Sequence, residues 1–276
     1  MYTRVYVEIT NICNMKCSFC HGHCRQAKMM SKLEFQRVLD ELKGKTKHIY
    51  YHLMGEPLTH PELNEFLVMA KEQGFQSMIT TNGTLLNKCG DALLQSGIYK
   101  INISLHSFEK QDRQAFESYL TDIVEFVKKA SSSRTIVVLR LWNKGADDGQ
   151  NSQIISFLRP LFDGEWTENE RGIRIRNKLH IEWGDRFEWP DKDGKYQGEQ
   201  VFCYGMRDHF GILADGTVVP CCLDSDGVIN LGNVFTENLS DILNSERAKA
   251  IKHGFGSYKA TEELCKRCPY ARRFAR

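Results

Sequence analysis

Val5-Tyr6-Val7-Glu8-Ile9-Thr10-Asn11-Ile12-Cys13-Asn14-Met15-Lys16-Cys17-Ser18-Phe19-Cys20 is the stretch on which the fold turns. Its first half alternates and is rich in Val, Tyr and Ile, so Thr3 to Thr10 is predicted to be a β-strand. Its second half puts three thiols in eight positions on the loop that leaves this strand. In parallel α/β folds the C-terminal edge of the strands is where ligands and catalysis gather. Close thiolates suit soft metals, chiefly zinc or an iron–sulfur cluster. Structural zinc takes four ligands from two separated pairs, and three clustered thiols suit it poorly. Cys24 could supply a fourth ligand and close the site. The cysteine run of ferredoxins is not matched.

Downstream, strands and helices alternate. Ser31 with Glu34 forms a capping box opening a helix through about Leu42. Strands are predicted at Lys47–Met54, Phe75–Thr80, Lys100–His106, Arg134–Trp142 and Lys178–Trp183. Helices are predicted at Pro61–Gln73, Leu85–Gln95, Lys110–Ala130 and from Ser152 to Leu158. Six strand-plus-helix units in about 185 residues predict a parallel sheet with right-handed crossovers. An open doubly wound sheet and a partial barrel both fit this pattern. Glu188 to Gln200 is polar and reads as a linker, which places a boundary near residue 190 and divides the chain into 1–190 and 191–276. Beyond it, Phe210–Leu213 and Thr217–Val219 flank Asp215-Gly216 as a hairpin, and Leu239 to Ile251 is predicted to be one helix.

The length of 276 residues gives roughly two domains as a prior. Apolar residues make up 41% and charged residues 26%, as in an ordinary globular protein. A formal charge of +2 is weak for a dedicated nucleic-acid binder. The basic tail Lys266, Arg267, Arg272, Arg273 and Arg276 around Phe274 is a small foothold for such a role, and reads more simply as a solvated end. No run approaches the ~18 apolar residues of a membrane helix, and no secretory signal is visible. A cytoplasmic home follows as the expectation. The chain opens within a few residues of its first strand, so no separate N-terminal peptide-recognition domain is expected.

In a reducing compartment, ten cysteines argue for metal ligation or catalysis over disulfides. Besides the first four, five fall late: Cys203, Cys221, Cys222, Cys265 and Cys268. A hairpin with a thiol near each end and a helix-borne Cys-x2-Cys can fold four sulfurs around one metal. On spacing alone zinc fits that set too. Cys89, on a predicted helix, reads as structural.

Cys-x3-Cys-x2-Cys after a first strand resembles the signature of the radical S-adenosylmethionine (SAM) enzymes. Met54-Gly55-Glu56-Pro57 is similar to that family's Gly-Gly-Glu-Pro motif, with Met54 replacing the first Gly. Thr80-Thr81-Asn82-Gly83 and Asn102-Ile103-Ser104-Leu105 extend the resemblance across the first ~185 residues. The resemblance implies a partial (β/α)6 TIM-like barrel followed by a small hairpin-plus-helix iron–sulfur domain. It implies that Cys13, Cys17 and Cys20 hold a [4Fe–4S] cluster whose open iron chelates SAM, which is cleaved to a 5′-deoxyadenosyl radical. Glu56 with the Gly55 backbone, Phe19, Asn82, Ser104 and Arg140 are the implied SAM contacts.

The late cysteines resemble the SPASM domain in its short, twitch form, with Cys203, Cys221, Cys265 and Cys268 on a closed auxiliary [4Fe–4S] cluster. The spacing is similar to that of twitch-type dehydrogenases. That implies a two-electron oxidation of a small molecule, with a flavodoxin- or ferredoxin-type reductant. Glu182, Asp185 and His106 are the candidate bases, and Glu182 to Arg186 is the candidate substrate loop. Cys222 is either a hydrogen-atom donor, as in peptide epimerases of this family, or a buried small residue. Peptide crosslinking or epimerisation is the alternative outcome, and a non-enzymatic metal module the remote one.

Overall fold

A computed structural model describes residues 1–108 and 112–274. Lys110, where the sequence starts the long helix, and Arg276 lie outside the described residues. Strand β1 spans Val5–Val7, followed by helix α1 (Lys32–Leu42), β2 (His48–Tyr50), α2 (Leu63–Glu72) and β3 (Gln76–Thr81). Then come α3 (Leu86–Gln95), β4 (Lys100–Ser104), α4 (Arg113–Ala130), β5 (Ile136–Lys144) and α5 (Gln150–Leu158). A hairpin of β6 (Thr167–Asn169) and β7 (Gly172–Arg176) precedes β8 (Leu179–Asp185). The C-terminal part contains β9 (Gly211–Ile212), β10 (Val218–Val219), α6 (Leu239–Leu243), α7 (Glu246–Gly256) and α8 (Glu263–Lys266).

The strands form one sheet in the order β10-β9-β1-β2-β3-β4-β5-β8-β7-β6. Each neighbouring pair from β1 through β5 to β8 is parallel. Tyr6 on β1 and Glu182 on β8 line the same cavity of about 430 Å³. Five inter-strand gaps in a flat sheet would hold them about 24 Å apart. The sheet is therefore curled into an incomplete α/β barrel. The strand faces divide accordingly. Val5, Val7, Ile49, Ile79, Ile101 and Leu139 are fully buried in the hydrophobic core, each stabilising the fold by about 1.5–3 kcal/mol. Tyr6, Tyr50, Lys100 and Arg140 face the cavity.

The capping box at α1 forms as predicted: Glu34 N–H donates to Ser31 Oγ and Ser31 N–H to the Glu34 carboxylate. Phe35 of α1 stacks on Phe66 of α2 with ring centroids 4.3 Å apart.

The structure departs from expectation in four places. The hairpin β6–β7 was not foreseen, because Thr167–Asn169 is exposed throughout and has no apolar alternation to read. The six parallel strands carry five following helices among the described residues, α1 to α5, and β8 leads on to strand β9 with no helix between them. The helix expected from Leu239 to Ile251 is two, because Ser245 accepts from Ala248 N–H and caps a new start. The polar stretch 188–200 is no free linker: Gln197 N–H donates to Lys266 O and Arg267 to Gly194 O. The hairpin β9–β10 adds to the barrel sheet, with β9 parallel to β1.

Candidate active site and iron–sulfur centres

The loop after β1 is closed at its base by Asn11. Its carboxamide donates to Gln26 O and accepts from Lys28 N–H, both at 2.8 Å, while its carbonyl meets the His23 ring. Within the loop, Cys20 N–H bonds Cys17 O, a turn that gathers two thiols, and Met15 N–H points at Cys13 Sγ from 3.4 Å. Cys13 and Cys20 are exposed and Cys17 partly so. Burial pushes the Cys13 thiol up, and the Glu56 and Cys20 charges add to the rise.

Gly55 holds the second wall against this loop. Its φ is +75°, and a Cβ there would overlap the Thr10 carbonyl oxygen. Glu56 N–H donates to Ile12 O at 2.9 Å. The Glu56 carboxylate is buried and tied down, accepting from Leu58 N–H at 3.0 Å and Asn82 N–H at 2.7 Å. Burial still raises its pKa to about 7. Asn82 Nδ2 donates to Asn14 Oδ1, and the Asn82 carbonyl accepts from Tyr119. Glu56, Asn82 and Asn14 thus fasten β2, β3 and the cysteine loop to one another. Ser104, Arg140 and Glu182 are register partners on β4, β5 and β8. Phe19 packs on the His106 ring at 5.1 Å, and its carbonyl accepts from Trp189.

The late thiols share the wall of the 430 Å³ cavity with the barrel's inner face. Cys203 Sγ accepts from Gly205 N–H, and Cys268 N–H bonds Cys265 O across the Cys-x2-Cys turn. A Cβ on Gly205 would stand 3.1 Å from Pro220 O, so glycine lets these segments close in. Burial, with mutual repulsion of thiolates, pushes Cys221 and Cys265 well above the usual thiol range, and burial takes Cys268 to about 11. Among the described residues, no three His, Cys, Asp or Glu side chains converge at single-ion distance. The fit of each set lies in its donor chemistry. Three thiols on one loop, and four thiols on one buried wall, are soft donors that an iron–sulfur cluster would take as thiolates.

The other candidates fall differently. Glu182 lines the cavity and stands 3.5 Å from Arg140, an ion pair outside hydrogen-bond alignment. Arg140 also reaches Thr80 Oγ1 and lies 4.4 Å over the Trp142 ring. His106 Nδ1 lies 3.1 Å from Arg140 O and 3.3 Å from Trp142 N, and burial lowers its pKa to about 4, so it is neutral. Asp185 is exposed at the strand end, where its carbonyl accepts from Arg273. Cys222 lines the cavity, packed on Leu53, Leu213, Val219 and Tyr6. Cys24 is exposed, with its N–H bonded to Asp226. Cys89 packs against the core.

Sequence reasoning missed Arg4, Tyr6 and Glu8. They alternate with Val5 and Val7, and that spacing of polar groups along β1 was the available signal for an inward polar face.

Residues 7–144 match the family model of the Radical SAM superfamily, and residues 203–269 match that of the SPASM iron–sulfur cluster-binding domain. The chain belongs to the radical SAM superfamily, whose enzymes use SAM and a [4Fe–4S] cluster. A probable GTP 3′,8-cyclase of Metallosphaera sedula is 30% identical over 90% of this chain and 89% of its own. The GTP 3′,8-cyclase of Chlorobaculum tepidum is 33% identical over 56% of this chain. That match spans 49% of the Chlorobaculum protein, so the chain matches about half of its length. BtrN in complex with AdoMet and 2-DOIA superposes with a TM-score of 0.59 at 18% identity, covering 97% of this chain and 93% of BtrN. The anSMEcpe structure with AdoMet and a peptide gives 0.62 at 14% identity, over 96% and 88%. At such identities these structures show a common fold. No helix among the described residues is long and apolar enough to cross a membrane.

Proposed function

We propose that this chain removes two electrons from a small organic substrate seated between the barrel and the C-terminal thiols. The observation that carries the reading is that Arg140 and Glu182 on one side and Cys203, Cys221, Cys265 and Cys268 on the other wall the same cavity. Cys13, Cys17 and Cys20 hold the SAM-binding cluster in this reading, and the four late thiols hold the auxiliary one, with the division between the two parts near residue 190. Bound together, these groups supply a carbon radical that removes a substrate hydrogen and a second centre that accepts one electron. Asn82 and Glu56 hold the SAM side rigid, and Phe19 and Trp189 cover it. Glu182 takes the substrate proton: of the three candidate bases it alone is a carboxylate that lines the cavity. The reductant is a flavodoxin- or ferredoxin-type protein of the cytoplasm.

Anaerobic incubation with SAM, dithionite and a small-metabolite extract tests this. The expected result is substrate-dependent 5′-deoxyadenosine and a product lighter by two hydrogens. No such release under any reducing condition would sink the reading. A second reading, rearrangement of a nucleotide, draws on the Metallosphaera relative, which aligns over nearly the whole chain. It predicts a product of unchanged mass. Release only in the presence of a peptide would instead place the chain with peptide-modifying enzymes such as anSMEcpe.

A further inference from the structure

The barrel side of the cavity carries more cations than carboxylates. Three cationic side chains line it, Arg4, Lys100 and Arg140, against one carboxylate, Glu182, among the described residues. Three buried N–H donors on the same wall have no hydrogen-bond partner: Arg4 Nε, Arg140 Nε and Trp142 Nε1. Unpaired buried donors carry a desolvation cost that an incoming acceptor relieves. Glu182 pairs with Arg140 and its charge also acts on Lys100, so one carboxylate serves two cations, and among the described residues no carboxylate pairs with Arg4. Burial lowers the Lys100 ammonium, and the positive charges of Arg140 and Arg4 lower it further, with Glu182 opposing them. Lys100 is therefore repelled by both guanidinium groups where water is scarce.

We propose that Arg4 and Lys100 form an anion seat on the cavity floor, and that the substrate carries a phosphate or carboxylate group which docks there. The inference rests on the reading that the cavity is the substrate's. The seat is not the SAM carboxylate site. Lys100 lies four residues before Ser104 on β4, about 13 Å further from the cysteine-loop edge. Arg4 precedes β1, on the same far side from Cys13. Docking there fixes one end of the substrate and leaves its other end between Glu182 and the thiol wall.

The test uses anaerobically reconstituted holoenzyme and measures phenylglyoxal labelling of Arg4 by peptide mass mapping. Inorganic pyrophosphate, succinate and sodium chloride are compared at equal ionic strength, with SAM present. At least one of the two polyanions is expected to slow Arg4 labelling about tenfold or more, and Lys100→Met to raise its half-protecting concentration about tenfold. Protection by pyrophosphate alone identifies a phosphate-bearing substrate, by succinate alone a carboxylate, and by both a seat for either. No protection beyond that of chloride, or equal protection in a folded Lys100→Met variant, overturns the proposal. If that variant does not fold, the wild-type protection still decides. 5′-Deoxyadenosine release in the presence of the small-metabolite extract is measured on the same preparation. Its absence with protection intact removes the enzymatic reading and leaves the seat, and its presence without protection does the reverse.

Discussion

Arg25 grips Glu8 with both terminal nitrogens, each 2.8 Å from a carboxylate oxygen, and Glu8 has no exposed surface. The same carboxylate accepts from Met54 N–H at 3.0 Å and Ala214 N–H at 3.1 Å, while Arg25 Nε donates to Ser225 O. One ion pair thereby ties the cysteine loop, the turn before Gly55 and the C-terminal hairpin. A buried pair with all its valences filled is costly to break on one side.

Glu8→Gln is expected to destabilise the protein by about 3–5 kcal/mol, since it leaves the Arg25 charge uncompensated. The double replacement Glu8→Leu, Arg25→Met should cost less than either single change. Anaerobic urea unfolding measures both. A double variant as unstable as the sum of the singles would remove the ion pair as the cause.

The two thiol sets predict about eight irons per chain, falling to about four in Cys13/Cys17/Cys20→Ala and to about four in the four-site replacement of Cys203, Cys221, Cys265 and Cys268. Iron and sulfide analysis after anaerobic reconstitution gives the count. About four irons in the wild type, with zinc making up the rest, would keep the SAM centre and remove the auxiliary electron acceptor.

Gly55 and Gly44 share a left-handed backbone, with φ of +75° and +74°, but only at Gly55 would a Cβ strike another segment. Gly44→Ala should cost on the order of 1 kcal/mol, and Gly55→Ala more, on the order of 3 kcal/mol. The difference isolates the approach of this turn to Thr10. Equal shifts in melting temperature would show that the loop yields freely. A folded Gly55→Ala protein is also expected to bind SAM more weakly in equilibrium dialysis.

Burial lowers His52 to about 3 and His209 to about 4, so both imidazoles are neutral in the folded protein. An unfolded histidine takes up its proton near pH 6.5. The unfolded chain therefore binds more protons below that value, and stability falls as pH drops from about 6.5 toward the folded values. Between pH 7 and pH 5 each contributes at most about 2 kcal/mol of loss. Both rings border a cavity that water reaches, so the measured loss lies below that bound. His52→Gln should flatten the dependence of the urea midpoint on pH. An unchanged slope would place the acid sensitivity elsewhere.

Much of the barrel was legible because its signals are local. Alternation marks β1, Ser31 with Glu34 marks the start of α1, and glycines close the turns after β3 and α3. The hairpin β6–β7 was not legible: polar residues at a sheet edge bury nothing and so leave no pattern. The break at Asn244-Ser245 was hidden by an apolar period that continues across it. Asp185 and Glu182 looked alike in sequence, three residues apart on one segment, yet only Glu182 faces the cavity. Strand direction decides that, and its phase is set by pairing with β5.

The sequence by itself determined the chemistry: three thiols on the loop after the first strand, a Gly-Glu-Pro turn after the second, and a late set of four thiols. Ligand type and short-range spacing are properties of the chain before it folds. Only the tertiary structure decided what those groups face. Curling the sheet brings Tyr6 and Glu182 to one cavity from strands at opposite ends of the parallel arc, and pairing β9 with β1 swings the late thiols onto its open side. The cationic lining of Arg4, Lys100 and Arg140 comes from three strand regions distant in sequence, so no motif could announce it.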